Sequence, residues 1–91
     1  MSTTVGTTWE EQFQSEGFRD IYVWHNAPGE IYPSHQHNGL TTHAVLQGSL
    51  WVRIGSEEKE YVVGDRFDIP AQVAHSARMG DEGCTYVIGE K

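Results

Sequence analysis

The chain is 91 residues long and carries thirteen acidic and six basic side chains, for a formal net charge of −7. This length suits a single domain, and the acidic balance argues against nucleic acid or an anionic membrane surface as a partner. One cysteine, Cys84, excludes an intrachain disulfide and favours a reducing compartment. The first residues lack the basic and apolar regions of a secretion signal, and no apolar stretch approaches the ~20 residues that span a bilayer. We therefore expect residues 1–91 to form one cytoplasmic domain.

The N-terminal part of the chain predicts one short helix. Residues 1–7 show no helix or strand pattern and are expected to be a flexible tail. The segment Thr8-Trp-Glu-Glu11 has the form of a capping box, with a hydroxyl at the cap and a carboxylate three residues later. Gly17 suits the position that follows a helix end, where the backbone commonly adopts a left-handed conformation. These signals predict a helix over residues 9–16.

After the helix, the signals are those of β-strands. Residues 21–25 alternate between two faces, with Tyr22 and Trp24 on one of them. Gly48 lies inside the longest run and predicts a bulge or bend, and residues 55–60 are expected to form a charged hairpin loop. Short strands at this spacing indicate an all-β antiparallel sandwich or barrel, and a small barrel suits the length because closure removes exposed edges. The predicted strands cover residues 18–25, 31–37, 42–54, 61–63, 67–70, 73–79 and 84–88.

Three histidines in two separate blocks predict a metal site. His35 and His37 are one residue apart in a predicted strand, and positions i and i+2 share a strand face with Cα atoms roughly 6.5–7 Å apart. Two imidazoles placed in this way can converge on one ion. His75, from a neighbouring strand, can complete the site, and neutral imidazole is the commonest metal ligand in proteins.

The two histidine blocks resemble the two sequence motifs of the cupin superfamily. The first motif runs glycine, five residues, His-x-His, a short spacer, glutamate, six residues and glycine. The second runs glycine, five residues, proline, one residue, glycine, two residues, histidine, three residues and asparagine. The resemblance implies a small antiparallel jelly-roll β-barrel with one short N-terminal helix, and metal ligands at three of the matching positions, His35, His37 and His75. The positions that fit the motifs are Gly29, His35, His37, Gly48, Gly64, Pro70 and His75.

The chain departs from the first motif at the position of the fourth metal ligand and from the second motif at two positions. The glutamate position holds Thr41, which is a poor metal ligand, while His43 lies two residues further and shares its strand face. We predict that His43 supplies the fourth imidazole, with Thr41 as the alternative. Gln72 and Met79 replace the glycine and asparagine of the second motif. A set of four imidazoles suits Zn, Ni, Fe, Cu or Co better than Mg or Ca.

The resemblance implies metal-dependent chemistry on a small organic molecule, because small cupins include oxygenases, isomerases and decarboxylases. No catalytic residue can be assigned, since no acid or base falls on an inner face and Arg53 and Arg78 are expected to point outward. Two alternatives stay open. One is a module that binds a metal or a small ligand without turnover, and the other is an interaction protein whose barrel has lost its metal.

An exposed tryptophan beside an arginine predicts a protein interface. Trp51 and Arg53 alternate with the aliphatic residues at positions 50, 52 and 54, which are expected to face the core. Tryptophan and arginine are enriched at interface centres, and small cupins commonly pair through such a sheet. We therefore expect a homodimer.

Overall fold

The computed structural model describes residues 8–91, so the tail predicted for residues 1–7 lies outside the described part. One helix precedes six strands, and every strand pair is antiparallel. The predicted all-β class with a single short N-terminal helix is confirmed. The elements are α1 (Trp9–Ser15), β1 (Arg19–Asn26), β2 (Ile31–His35), β3 (Thr41–Ile54), β4 (Glu57–Val62), β5 (Arg66–Ile69) and β6 (His75–Glu90).

The predicted capping box starts α1. The Thr8 side chain accepts a hydrogen bond from the Glu11 backbone N–H, and the Glu11 carboxylate accepts one from the Thr8 backbone N–H. Two of the amide groups that lack a partner within the helix are thereby satisfied. Gly17 follows the helix end with a φ of +92°, the left-handed conformation that glycine adopts at little cost.

The two long strands β3 and β6 pair with each other along most of their length and form the centre of the sheet. The other edge of β6 pairs with β2 near its start and with β1 near its end. The other edge of β3 pairs in the same way with β5 and then with β4. Every strand is therefore attached to β3 or β6, and the position of each histidine depends on the register of these two strands.

The structure corrects three predicted boundaries. The strand predicted over residues 31–37 ends at His35, so His37 lies in the following loop and not on the strand. The strands predicted over residues 73–79 and 84–88 form one continuous strand, β6, which begins at His75. The segment Gly80–Gly83 forms a bulge between the pairs Met79–Leu50 and Cys84–Gly48. Gly83 has a φ of +78° in this bulge, a conformation that glycine adopts at little cost. The charged residues 57–60 were predicted as loop but form most of β4, where they pair with the end of β3. Their charged side chains are exposed on a strand at the edge of the sheet.

The bulge predicted at Gly48 is present. The register between β3 and β6 shifts on both sides of this residue, and its φ is +72°. A Cβ atom at position 48 would collide with the carbonyl oxygen of Gly83 on the facing strand. The close approach of two glycine backbones thus lets both long strands bend at the same level.

Two apolar clusters pack on opposite faces of the sheet. The inner core lies inside the curved sheet, and the outer core lies between the sheet and α1. Successive side chains of β3 point to opposite faces of the sheet. His43 shares the inward face with Val45, while Ala44 belongs to the outer core with Phe13 and Val87. The buried residues of the inner core are Val45, Leu50, Val52, Phe67, Ile69, Met79, Cys84 and Tyr86.

An ion pair fixes the end of α1 to the sheet. The Arg66 guanidinium donates to both oxygens of Glu16, over 2.6 and 2.8 Å, and to the Thr42 hydroxyl over 3.0 Å. The same guanidinium lies 4.9 Å from the centre of the Phe13 ring. Hydrogen bonds from Arg66 lower the pKa of Glu16 from 4.5 to about 2, because they stabilise the ionised carboxylate.

This pKa shift predicts a stability difference that depends on pH. The contribution of the ion pair should be complete above about pH 4.5 and should be lost as the pH falls towards 2, because the unfolded chain takes up its proton first. Glu16→Gln should therefore lower the unfolding midpoint at pH 7 but have little effect near pH 2.5, as measured by thermal unfolding across the pH range. Glu58→Gln, on the exposed face of β4, is the matched control. An equal effect of both substitutions at every pH would contradict the prediction.

Candidate metal centre

The structure brings His35, His37 and His75 together. His35 ends β2 and lies directly opposite His75, which begins β6, and His37 lies in the loop that follows β2. Their ring centres are 4.3 Å (His35–His75), 5.0 Å (His35–His37) and 5.2 Å (His37–His75) apart. Each ring offers one nitrogen within 4.8 Å of the other two. These three side chains could therefore hold one metal ion.

Hydrogen bonds to the backbone leave the other nitrogen of two rings free. Nδ1 of His35 lies 2.8 Å from the carbonyl oxygen of Pro33, and Nδ1 of His75 lies 3.1 Å from that of Val73. A carbonyl oxygen can only accept, so Nδ1 must carry the hydrogen in both rings. In the neutral rings the lone pair then lies on Nε2. A hydrogen bond of this kind from the second nitrogen is the usual companion of a metal-bound histidine.

Burial keeps two of the rings neutral. The pKa of His37 is lowered by burial first and then by the neighbouring His35. The pKa of His75 is also lowered, mainly by burial, although its hydrogen bond to Val73 acts in the opposite direction. Only a neutral imidazole has a lone pair for a metal, so both shifts favour metal binding near neutral pH.

The loop that carries His37 is held by the residue that departs from the second cupin motif. Gln72 donates its backbone N–H to the His37 carbonyl oxygen over 2.9 Å. Gln72 has a φ of +68°, a conformation that costs a residue with a side chain roughly 1–2 kcal/mol. This explains why glycine suits the motif at this position. The glutamine adopts the same backbone conformation and still holds the loop.

His43 lies in the same cavity but outside the group of three. Its side chain is only 6% exposed. The ring stacks on Phe67 at 4.6 Å with an interplanar angle of 5°, and it meets the Tyr86 ring edge-on at 5.1 Å. Burial, reinforced by the other histidines, lowers the pKa of His43 to about 3. The ring is therefore neutral near pH 7.

Both positions predicted as the fourth ligand carry a buried polar atom without a partner. Oγ1 of Thr41 and Nδ1 of His43 make no hydrogen bond to any atom of residues 8–91. Thr41 is only 2% exposed, so its hydroxyl does not face bulk water. Buried polar atoms are rarely left unpaired unless a ligand, an ion or a water satisfies them. The donor set around the three histidines thus fits a bound metal.

The histidines lie in a cavity of about 190 Å³ with an apolar wall. His43 and Phe67 lie inside it, whereas Tyr22 and Trp24, each 48% exposed, lie at its mouth. None of the lining residues is an aspartate, glutamate, lysine or arginine. The lining residues are Tyr22, Trp24, Tyr32, His35, His37, His43, Leu50, Val52, Phe67, Ile69, His75, Ala77, Tyr86 and Ile88.

The sequence prediction did not identify the aromatic mouth of this cavity. Trp24 donates from Nε1 to the Tyr32 hydroxyl over 3.2 Å, and that hydroxyl donates to the side chain of Asn26. Alternation along β1 already put Tyr22 and Trp24 on one face. It could not show that this face meets the histidines, because that depends on how β1 and β2 share the long strand β6.

Comparison with known proteins establishes the family. The sequence model of the cupin domain matches residues 22–88, which is most of the chain. The chain belongs to the cupin family. Among curated proteins, none matches this sequence significantly. Within residues 8–91, no helix is both long and apolar enough to cross a membrane.

Solved structures share this cupin fold. A cupin superfamily protein from Desulfitobacterium hafniense has a TM-score of 0.70 at 21% identity, over 77% of this chain and 63% of that protein. An uncharacterised protein with a double-stranded β-helix domain from Klebsiella pneumoniae has a TM-score of 0.68 at 27% identity, over 77% and 64%. Oxalate decarboxylase from Bacillus subtilis, which has Mn(II) centres, has a TM-score of 0.71 at 24% identity, over 78% and 20%. This chain therefore spans less than two thirds of each of these proteins.

The unpaired nitrogen of His43 predicts that this residue lowers the stability of the metal-free protein. His43→Phe keeps an aromatic ring beside Phe67 and removes the buried polar atom, so it should raise the free energy of unfolding of the metal-free protein by about 1 kcal/mol. Denaturant unfolding with chelator present measures this difference. His25→Phe, at an exposed ring that contacts Thr85, is the control and should change stability by less than about 0.5 kcal/mol. A destabilised His43→Phe protein would contradict the prediction.

Proposed function

We propose that this cupin holds one divalent transition metal through His35, His37 and His75 and uses it in chemistry on a small organic molecule. The observation that carries the proposal is the convergence of three imidazoles within 4.8 Å at the wall of an apolar cavity. Three protein ligands leave coordination positions open for water or a substrate, as catalytic metal sites require.

The nitrogen donors favour Zn, Ni, Cu, Co or Fe(II) as the metal. Imidazole suits all of these ions, whereas Mg and Ca prefer oxygen. The Mn(II) centres of oxalate decarboxylase support metal binding in this fold. In this chain the glutamate position of the first motif holds Thr41, so the proposed site has no carboxylate ligand. We infer that it is better suited to a nitrogen-preferring ion than to manganese.

At this site the protein contributes metal ligands and an apolar wall, and it contributes few groups that could act as an acid or a base. A divalent metal would polarise an oxygen atom of the bound molecule as a Lewis acid. Apolar side chains of the inner core line the same space. Burial raises the pKa of Tyr86 above its ordinary value, so its phenol stays protonated and can donate a hydrogen bond. An oxygenase or isomerase reaction centred on the metal needs little more from the protein.

The absence of a charged acid or base from the cavity lining also favours a second candidate function. A module that binds a metal or a small ligand without turnover would need the same histidines and no proton donor or acceptor. The two candidates are distinguished with a panel of small diketones, catechols and thiols. If the metal-loaded protein consumes O₂ with one of these compounds or isomerises it, the result supports an enzyme. Binding of these compounds without chemical change supports the binding module.

Metal content tests the proposed site. We expect about one equivalent of metal in the wild-type protein and less than a tenth of that in His75→Ala after dialysis against a weak chelator, because one of three ligands is lost. His25→Ala is the matched control and should retain a full equivalent. Elemental analysis by mass spectrometry measures all three. Equal metal content in His75→Ala and the wild type would contradict the proposal.

The role of His43 as a fourth ligand stays a prediction, which the same measurement tests. The ring lies in the cavity but is not among the three whose nitrogens are mutually close. Unchanged metal content and affinity in His43→Phe would exclude it as a ligand, whereas a substantial loss of metal would support four-histidine coordination.

We also propose that the protein forms a homodimer through the outer face around Trp51. The Arg78 guanidinium lies 5.5 Å from the centre of the Trp51 ring. Ile31, which pairs with Arg78 in the sheet, is 66% exposed. A large exposed isoleucine beside tryptophan and arginine is typical of an interface centre. The shallow groove lined by these residues continues to Arg53.

The dimer is tested by light scattering after size-exclusion chromatography. The wild-type protein should elute with about twice the chain mass of 10.2 kDa, and Ile31→Lys should elute as a monomer because a lysine charge would be buried in the interface. Val23→Lys, at a residue of β1 that is 37% exposed and lines neither surface cavity that contains Trp51, is the control and should stay dimeric. A monomeric wild-type protein at micromolar concentration would contradict the proposal.

A further inference from the structure

We infer that the cavity binds a small, flat molecule with one metal-binding oxygen group and no other charge, and that His43 is the hydrogen-bonding partner of this molecule inside the cavity. This inference rests on the proposed function, because the metal would bind the oxygen group. It specifies the class of molecule and assigns a role to the one histidine of the cavity that lies outside the group of three.

The first argument comes from charge. With a metal bound, the only positive charge in the cavity would lie at one point, next to His35, His37 and His75. Arg66 is engaged with Glu16 on the other face of the sheet, and Arg78 lies over Trp51 on the outer face. An oxygen next to the metal can therefore ionise, but a second anionic group would be buried without a partner. That burial is costly.

An acidic side chain beside the cavity strengthens this selection against anions. Glu90 shares a second, smaller cavity with His37, Thr41 and Tyr22, and its charge acts on His37. The carboxylate thus lies beside the mouth of the main cavity. A second anionic group at the mouth would be repelled by Glu90 and would find no arginine or lysine among the lining residues.

The second argument comes from the shape of the mouth. The Tyr22 and Trp24 rings meet edge to face with their centres 5.9 Å apart, and Trp24 is held by its hydrogen bond to Tyr32. These rings are about half exposed, yet hydrogen bonding and ring contacts fix their orientation. Fixed aromatic rings at a cavity mouth offer a flat surface on which another ring can pack.

The third argument comes from His43. Its ring is held between Phe67 and Tyr86 in an otherwise apolar part of the cavity. A neutral imidazole carries one donor and one acceptor, and neither ring nitrogen of His43 makes a hydrogen bond within residues 8–91. Nδ1 is fully buried. A molecule in the cavity would therefore reach this ring through Nε2. A hydroxyl or carbonyl group on it would give Nε2 a partner, and a molecule without such a group would leave Nε2 unpaired.

The inference is tested with two ligands that differ in one substituent, which is uncharged in the first and anionic in the second. Protein loaded with Zn²⁺ is titrated at pH 7 with 4-methylcatechol and with 3,4-dihydroxybenzoate, which carries a carboxylate in place of the methyl group. Isothermal calorimetry should show at least about tenfold tighter binding of 4-methylcatechol, because the carboxylate has no partner in the cavity. Equal or tighter binding of 3,4-dihydroxybenzoate would overturn the inference, as would failure of both ligands to bind.

Variants test the role of His43 separately from metal binding. His43→Phe should weaken binding of 4-methylcatechol by about tenfold with unchanged zinc content, since a hydrogen bond within the site is lost. Trp24→Ala should also weaken it, and the control His25→Phe should leave it unchanged. Unchanged affinity in His43→Phe, or a loss of zinc in that variant, would overturn the assignment of His43 to the ligand.

A metal-free arm separates this inference from the proposed function. If the wild-type protein retains no metal, the proposed function fails, but the cavity can still be tested with 4-methylphenol and 4-hydroxybenzoate, which need no metal. Preference for the uncharged 4-methylphenol would support the selection by charge. Preference for 4-hydroxybenzoate would overturn it.

Discussion

The antiparallel register between β2 and the start of β6 is the constraint on which the candidate site depends. It sets His35 directly opposite His75, although forty residues separate them in the chain. The Gln72 backbone then brings the loop with His37 against the same pair. A slip of one residue in this register would turn His75 to the other face of the sheet. The site is therefore a property of strand pairing more than of any local motif.

The rest of the fold holds this register in place and leaves a cavity beside it. Gly48 and Gly83 let the two long strands bend at the same level, so that the inner core curves around the histidines. On the outer face, the hydrogen bonds between Arg66 and Glu16 attach α1 to β5. Two buried polar atoms, Oγ1 of Thr41 and Nδ1 of His43, have no hydrogen-bond partner within residues 8–91. Polar groups left unpaired in a protein interior are typical of functional sites, where stability is given up for binding.

Much of this arrangement could be predicted from the sequence, and the exceptions have physical causes. The resemblance of the two histidine blocks to known motifs identified the three histidines that converge. The predicted alternation on one strand was not the reason for it, because β2 ends at His35 and His37 lies in the following loop. The boundaries of β6 were wrong because Gly80-Asp-Glu-Gly83 has the composition of a turn, while the pairs on either side of it, Met79 with Leu50 and Cys84 with Gly48, keep the strand continuous across a bulge. The aromatic mouth at Tyr22 and Trp24 was missed because it depends on which strands are neighbours, and a single sequence does not give this information.

The most direct test of the central claim is to locate the metal itself. Crystals grown with Co²⁺ and measured at the cobalt absorption edge should give one anomalous peak per chain. We expect it about 2.0–2.2 Å from Nε2 of His35, His37 and His75, with Nδ1 of His35 and His75 still bonded to the backbone. A peak at other residues, or no peak between these three rings, would contradict the account.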